Sequence, residues 1–101
     1  MVILLGGTGY AGGAFLRFFR ARAIPYRVLS RAHVDYYQRD VLVSAIRRTG
    51  AEFLINAAGY TGKPNVDACE SHKTDCLLGN SILPGIVRSA CELAGIAWGH
   101  V

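Results

Sequence analysis

Cysteine is sparse in this sequence and poorly placed for joint work: Cys69, Cys76 and Cys91 include no C-x-x-C pair. An odd number of thiols spaced this widely argues against a disulfide-stapled secreted domain and for reduced thiols in a cytoplasmic protein. His72 stands between Cys69 and Cys76, yet no fourth ligand follows at a usual spacing, so no zinc centre is expected. No apolar run approaches the roughly 20 residues that cross a bilayer. The N-terminus also has no basic segment leading into a cleavable apolar stretch, so a soluble protein without a membrane partner is expected. Charge is modest too, 18% of residues with a net of +4. The densest basic group, Arg17, Arg20 and Arg22, falls on the polar side of a helical segment and reads as a solvated face, with no nucleic-acid partner implied.

What is abundant is apolar sequence, 51% of 101 residues, enough for one domain with a modest core. Apolar runs of strand length alternate with amphipathic helical patterns, which predicts an α/β layer structure around a parallel sheet. The first run, Val2-Ile3-Leu4-Leu5, passes directly into glycines at positions 6, 9 and 12, and a helical pattern follows from Ala11 to Arg22. A buried strand, a tight turn and a helix N-terminus are expected there. The first N–H groups of a helix lack intrahelical partners and, with the helix dipole, favour an anion such as a pyrophosphate. Gly6 would permit the turn, Gly9 would let a phosphate approach the backbone, and Gly12 would allow close packing of the helix. Ala11, Phe15, Phe18 and Phe19 recur at helical spacing and are expected in the core.

A second strand is expected at Tyr26-Arg27-Val28-Leu29, after Ile24-Pro25 closes the helix. It ends in Ser30-Arg31, where dinucleotide-binding units carry either an acid for a ribose 2′-OH or an arginine for a 2′-phosphate. Arg31 favours NADP, while Asp35 leaves NAD open. Tyr36-Tyr37 could form a brief third strand. Asp40 precedes a helical stretch to about Thr49 and could cap it through the free backbone N–H groups. Glu52 to Ile55 reads as the fourth strand, leading into the small residues Asn56-Ala57-Ala58-Gly59, which would let a ligand approach a sheet edge. A long helical pattern from Lys73 to Ala94 is interrupted by Pro84, which cannot donate to the Asn80 carbonyl. It closes at Gly95, and Ile96 to Val101 reads as a fifth strand.

The G-x-x-G-x-x-G spacing at positions 6 to 12 resembles that of the extended short-chain dehydrogenase/reductase family, and Asn56-Ala57-Ala58-Gly59 resembles its N-A-A-G element. The longer run from Asn56 through Lys73, N-A-A-G-Y-T-G-K-P-N-V-D-A-C-E-S-H-K, is similar to the dTDP-4-dehydrorhamnose reductases. It is more similar still to the epimerase/reductase part of plant nucleotide-rhamnose synthases. The resemblance implies a Rossmann-type doubly wound sheet, strand order 3-2-1-4-5, that stops after the fifth strand. It also implies reduction of the 4-keto group of a nucleotide-linked 6-deoxysugar by NADP(H), with NAD(H) as the alternative, in a cytoplasmic enzyme that could be a homodimer.

Cofactor contacts implied by the resemblance fall on Gly6, Thr8, Gly9, Tyr10, Ala11 and Gly12, on Ser30 and Arg31, on Asp40 and Val41, and on Asn56, Ala57, Ala58, Gly59 and Tyr60. Asp40-Val41 would lie against the adenine, a role compatible with a helix cap. Lys63 and Asn65 would lie near the nicotinamide, although Gly62, Pro64 and Asn65 also suit an ordinary surface turn. Asn80 would offer a free carbonyl to a proton relay, or Pro84 would simply start or kink its helix. The proton-donating Tyr-x-x-x-Lys of the resembled family is missing, since none of Tyr10, Tyr26, Tyr36, Tyr37 and Tyr60 has a lysine four residues on. No catalytic residue is therefore expected in this chain. Residues 1–101 read as the cofactor-binding portion of a longer reductase, inactive by itself; a short NADP-binding module, or another sugar epimerase or dehydratase of the family, are the alternatives.

Overall fold

A computed structural model describes residues 1–58 and 82–101. The described chain runs β1 (Val2–Leu5), α1 (Tyr10–Ala21), β2 (Tyr26–Leu29), α2 (Arg39–Thr49), β3 (Phe53–Asn56), α3 (Leu83–Ala94) and β4 (Ala97–His100). The strands are joined by helical crossovers, so every pairing is parallel, in the order β2-β1-β3-β4. The α/β layer structure is thus as the sequence predicts, and β2 has the predicted bounds.

The expected order 3-2-1-4-5 needs correction at its first member. Tyr36-Tyr37 forms no strand: the two residues lie in a turn. The Asp35 carboxylate stabilises that turn, accepting from the Tyr37 N–H at 3.3 Å and the Gln38 side-chain amide at 3.0 Å. Two consecutive aromatics have strand propensity, but an aspartate that bonds to the backbone two residues on competes with an extended ladder.

Strand alternation divides the apolar residues between two layers. Ile3, Leu5, Leu29 and Leu54 face α2 and α3, where Leu42, Ile46, Leu83 and Val87 complete the main core. Leu4 points the other way, toward the layer of α1, where the Phe19 ring stacks on Tyr26 at 5.5 Å. Phe18 does not join that core: it is 49% exposed, with the Arg22 guanidinium 5.2 Å above its ring. A four-residue strand is too narrow to cover every aromatic of a three-turn helix, so Phe18 is left at the margin. Arg17, Arg20 and Arg22 are exposed, as expected of a solvated face.

Both α2 and α3 stop at a glycine with positive φ, Gly50 at 66° and Gly95 at 73°. Pro84 is the second residue of α3, a first-turn position where its missing N–H is no loss. Residues 73–81, and with them the Asn80 carbonyl, lie outside the described residues.

Candidate functional site

Register places Leu29, Leu5, Asn56 and His100 in one row across the sheet, the last before the strands give way to loops. Every described site element predicted from the sequence, except Asp40-Val41, starts at that row. From Leu5 the chain turns at Gly6, whose φ of +79° disfavours any side chain. A Cβ there would also sit 2.5 Å from the Ala57 carbonyl and 2.6 Å from the Ala58 Cα. The glycine turn and the start of the Asn56–Ala58 segment are therefore in direct backbone contact. The Ala57 N–H, donating to Leu5 O at 3.0 Å, ties them further.

The next glycines have different reasons. A Cβ on Gly12 would overlap the Gly6 carbonyl oxygen and come within 2.8 Å of Gly7 Cα, so the helix presses on the turn itself rather than on the sheet. A Cβ on Gly9 would meet only Gly6 O, at 3.7 Å. Nothing in the described protein demands a glycine at position 9; open space lies where its side chain would be. Gly9 is the N-cap of α1, without a side-chain cap bond, and the first turn contains no acidic residue. The N–H groups of Tyr10, Ala11 and Gly12 thus lack intrahelical acceptors, beside a cradle that a side chain at Gly9 would fill. Thr8 and Tyr10 are exposed at its mouth, Tyr10 by 88%.

At the end of β2, Ser30 is engaged locally: its Oγ accepts from the Ala32 N–H at 3.3 Å, and its carbonyl accepts from His33 and Val34. Arg31 lies with its guanidinium carbon 4.2 Å over the Tyr37 ring, which in turn stacks on the buried Tyr36 at 5.6 Å. Burial, then the neighbouring Tyr37, push the Tyr36 hydroxyl above its ordinary pKa, against an opposing pull from Arg31. Among the described residues no carboxylate pairs with Arg31, and Asp35 is turned into its own loop. Strand propensity at Tyr36-Tyr37 gives no hint of the turn that holds Arg31 over the Tyr37 ring.

Asp40 is not the cap of α2. Gln38 occupies that position without a side-chain bond, and Asp40 is exposed in the first turn, 3.4 Å from Arg39. The helix begins two residues early because the Asp35 turn delivers the chain at Gln38, whose carbonyl already accepts from Leu42. Asp40 borders an open depression of about 530 Å³ together with Gln38, Arg39, Ile82, Gly85 and Ser89. Val41 is 37% exposed and does not line it. The structure brings Gly6, Gly12, Ala57 and Ala58 into contact, and places Asp40 at this separate depression between α2 and α3. Gly59, Tyr60, Lys63, Asn65, Cys69, His72 and Cys76 lie outside the described residues. Cys91 is buried in the core, and desolvation pushes its thiol up to about 11, so it remains protonated and inert.

A family model described as the RmlD substrate binding domain matches residues 1–101. The chain belongs to the RmlD substrate binding domain family. Among this family member's relatives is a bifunctional dTDP-4-dehydrorhamnose 3,5-epimerase/dTDP-4-dehydrorhamnose reductase of Arabidopsis thaliana. It is 37% identical over 94 residues, covering 93% of this chain and 30% of that protein. A trifunctional UDP-glucose 4,6-dehydratase/epimerase/UDP-4-keto-L-rhamnose-reductase of the same plant is 39% identical over 75 residues, 74% of this chain and 11% of that protein.

Two solved structures have the same fold. The UDP-rhamnose synthase of Acanthamoeba polyphaga mimivirus superposes with a TM-score of 0.85 at 14% identity, over 98% of this chain and 35% of that one. The dTDP-4-dehydrorhamnose reductase of Bacillus anthracis in complex with NADP superposes at 0.79 with 18% identity, over 96% of this chain and 34% of that one. The RmlD-family chain therefore spans 11–30% of the length of these two sequence relatives.

Proposed function

We propose that this chain supplies the dinucleotide site of an NADP(H)-dependent oxidoreductase that reduces the 4-keto group of a nucleotide-linked 6-deoxysugar, either alone or coupled to epimerisation. The observation that carries the reading is the Gly6–Gly12 turn. It presents three N–H groups that have no intrahelical acceptor, without an acid in the first turn, beside the open space at Gly9 among the described residues. Membership of the RmlD family, and relatives named as dTDP- and UDP-sugar reductases, supply the substrate class.

In this reading Gly6, Thr8, Gly9, Tyr10, Ala11 and Gly12 hold the pyrophosphate. Asn56, Ala57 and Ala58, continuing into Gly59 and Tyr60, border the adjoining ribose, and Asp40 and Val41 border the adenine. Ser30 and Arg31 take the 2′-phosphate: Arg31 offers a planar fork of donors and, among the described residues, has no competing carboxylate. A reduced nicotinamide, when bound, supplies the hydride for the carbonyl carbon. The chain's own residues bind and orient it; the proton donor belongs to sequence beyond this portion. A cytoplasmic setting belongs to the same proposal, and the odd number of widely spaced cysteines supports it.

The reading is tested by titrating the purified chain with NADPH and NADH, followed by calorimetry, beside Arg31→Ala. The variant is expected to lose about 1–3 kcal/mol of NADPH affinity, the range for charge-assisted hydrogen bonds, and almost none for NADH. Tight NADH binding indifferent to Arg31 would reverse the cofactor choice. A folded chain that binds neither would reduce the glycine turn to a structural device.

A further inference from the structure

One polar link crosses the row at the sheet's C-terminal edge. Asn56, at the end of β3, is 5% exposed and the only buried polar residue among those described. Its two carboxamide atoms have different partners. Oδ1 accepts from the Ala58 N–H at 3.0 Å, and Nδ2 lies 3.2 Å from Nδ1 of His100, at the end of β4. A backbone N–H can only donate, so the Ala58 bond fixes which end of the carboxamide carries oxygen. The amide nitrogen must then face His100, and Nδ1 of the imidazole must accept. The ring is thus the neutral tautomer with its proton on Nε2.

We propose that His100 is a positioning residue of the dinucleotide site, acting through Asn56, and that its protonation loosens the Asn56–Ala58 segment against the glycine turn. This rests on the cofactor reading above for its consequence, although the switch itself needs only the protein. A protonated Nδ1 is a donor facing a donor. If Asn56 keeps its orientation, the bond to His100 is lost. If the carboxamide turns over to offer Oδ1 to the imidazolium, its NH₂ faces the Ala58 N–H, and that bond is lost instead. One carboxamide satisfies Ala58 and neutral histidine together, but never Ala58 and the imidazolium.

The segment it governs is the one in backbone contact with Gly6. The Val101 N–H donating to Asn56 O at 3.1 Å makes the ends of β3 and β4 a single unit. Among the described residues, the elements packed on β4 bring no charge that contests the switch. β3 (Phe53–Asn56) carries no ionisable side chain. On α3, which also packs on β4, Arg88 and Glu92 are bonded to each other at 3.1 Å on the exposed side, and the Cys91 thiol stays neutral.

The test compares the wild-type chain with His100→Ala and His100→Asn. Histidine changes charge between about pH 5 and pH 8. Over that range, in ¹⁵N-labelled wild type, the Asn56 side-chain NH₂ and the Ala58 N–H resonances are expected to move with the His100 imidazole. They should be still in both variants. NADP⁺, which tolerates acid, is the binding probe. Its 2′-phosphate also titrates, near pH 6, so the readout is the pH response of wild type beyond that of His100→Ala.

Wild type is expected to lose about two- to tenfold more affinity than His100→Ala on going from about pH 8 to about pH 5.5, the scale of one net hydrogen bond. His100→Asn, whose side-chain oxygen can accept from Asn56 at any pH, is expected to keep the alkaline affinity without the extra acid loss. Asn56 and Ala58 resonances that ignore His100, or equal pH responses in wild type and His100→Ala, would overturn the proposal. Failure of wild type to bind NADP⁺ at any pH would overturn the cofactor reading instead, and with it the consequence assigned to His100.

Discussion

Gly12→Ala is expected to destabilise the chain by about 3 kcal/mol or more, seen as a lower midpoint in urea. The reason is geometric. The added methyl would overlap the Gly6 carbonyl oxygen and approach Gly6 C and Gly7 Cα at 2.8 Å, all of them backbone atoms that cannot rotate away. Either α1 backs off the turn or the turn opens, and both displace the N–H groups assigned to the pyrophosphate. Dinucleotide binding should therefore fall even under conditions where the variant remains folded.

The adjacent Gly13 supplies the control. Its Cβ would meet only the end of the Arg17 side chain, at 3.6 Å. Gly13→Ala should be neutral or should stabilise by up to about 1 kcal/mol, because alanine is the better helix residue. Equal losses at the two positions would contradict a close contact between helix and turn.

Leu54→Ala is expected to cost about 2–5 kcal/mol, a large part of the roughly 5–15 kcal/mol that holds a small domain folded. Leu54 is fully buried in β3, between Ile3 and Trp98 in register, and faces the layer of α2 and α3. Strands on both sides and helices above leave little freedom to close the cavity, so both the transfer and the cavity costs should appear. Phe53, one residue earlier, points to the opposite face and is 37% exposed. Phe53→Ala should cost distinctly less despite removing a larger side chain. A reversed order in denaturation midpoints would mean that the two faces of β3 have been assigned the wrong way round.

Much of this architecture was legible locally. Val2–Leu5 followed by spaced glycines can hardly be anything but strand, turn and helix, and the bounds of β2 follow from Pro25 before it and the polar Ser30-Arg31 after it. Where local reading failed, a competing local bond or an unmet partner was responsible. Tyr36-Tyr37 has strand-like residues, but Asp35 bonds forward into Tyr37 and Gln38 and makes a turn. Asp40 has the residue type of a cap, but that turn had already started the helix at Gln38. Phe18 fits the helical apolar stripe, but there is too little sheet under it. His100 gave a weaker signal still: an isolated histidine near the end of a strand says nothing until parallel register sets it opposite Asn56.

By itself the sequence determined the alternation of strands and helices, the glycine turn with its anion-favouring helix start, and the RmlD-family run beyond Asn56. Those depend on residue type and spacing along a few neighbouring positions, where backbone freedom and hydrophobic period act directly. Only the tertiary structure decided the four-strand order, the pressure of Gly12 on Gly6, the seating of Arg31 on Tyr37 and the Asn56–His100 link. Most of these are contacts between residues far apart in sequence, and even the nearby Arg31–Tyr37 pair depends on how the turn between them folds. Their existence depends on which strand lands beside which and in what register, and pairing across the sheet, not local preference, sets that.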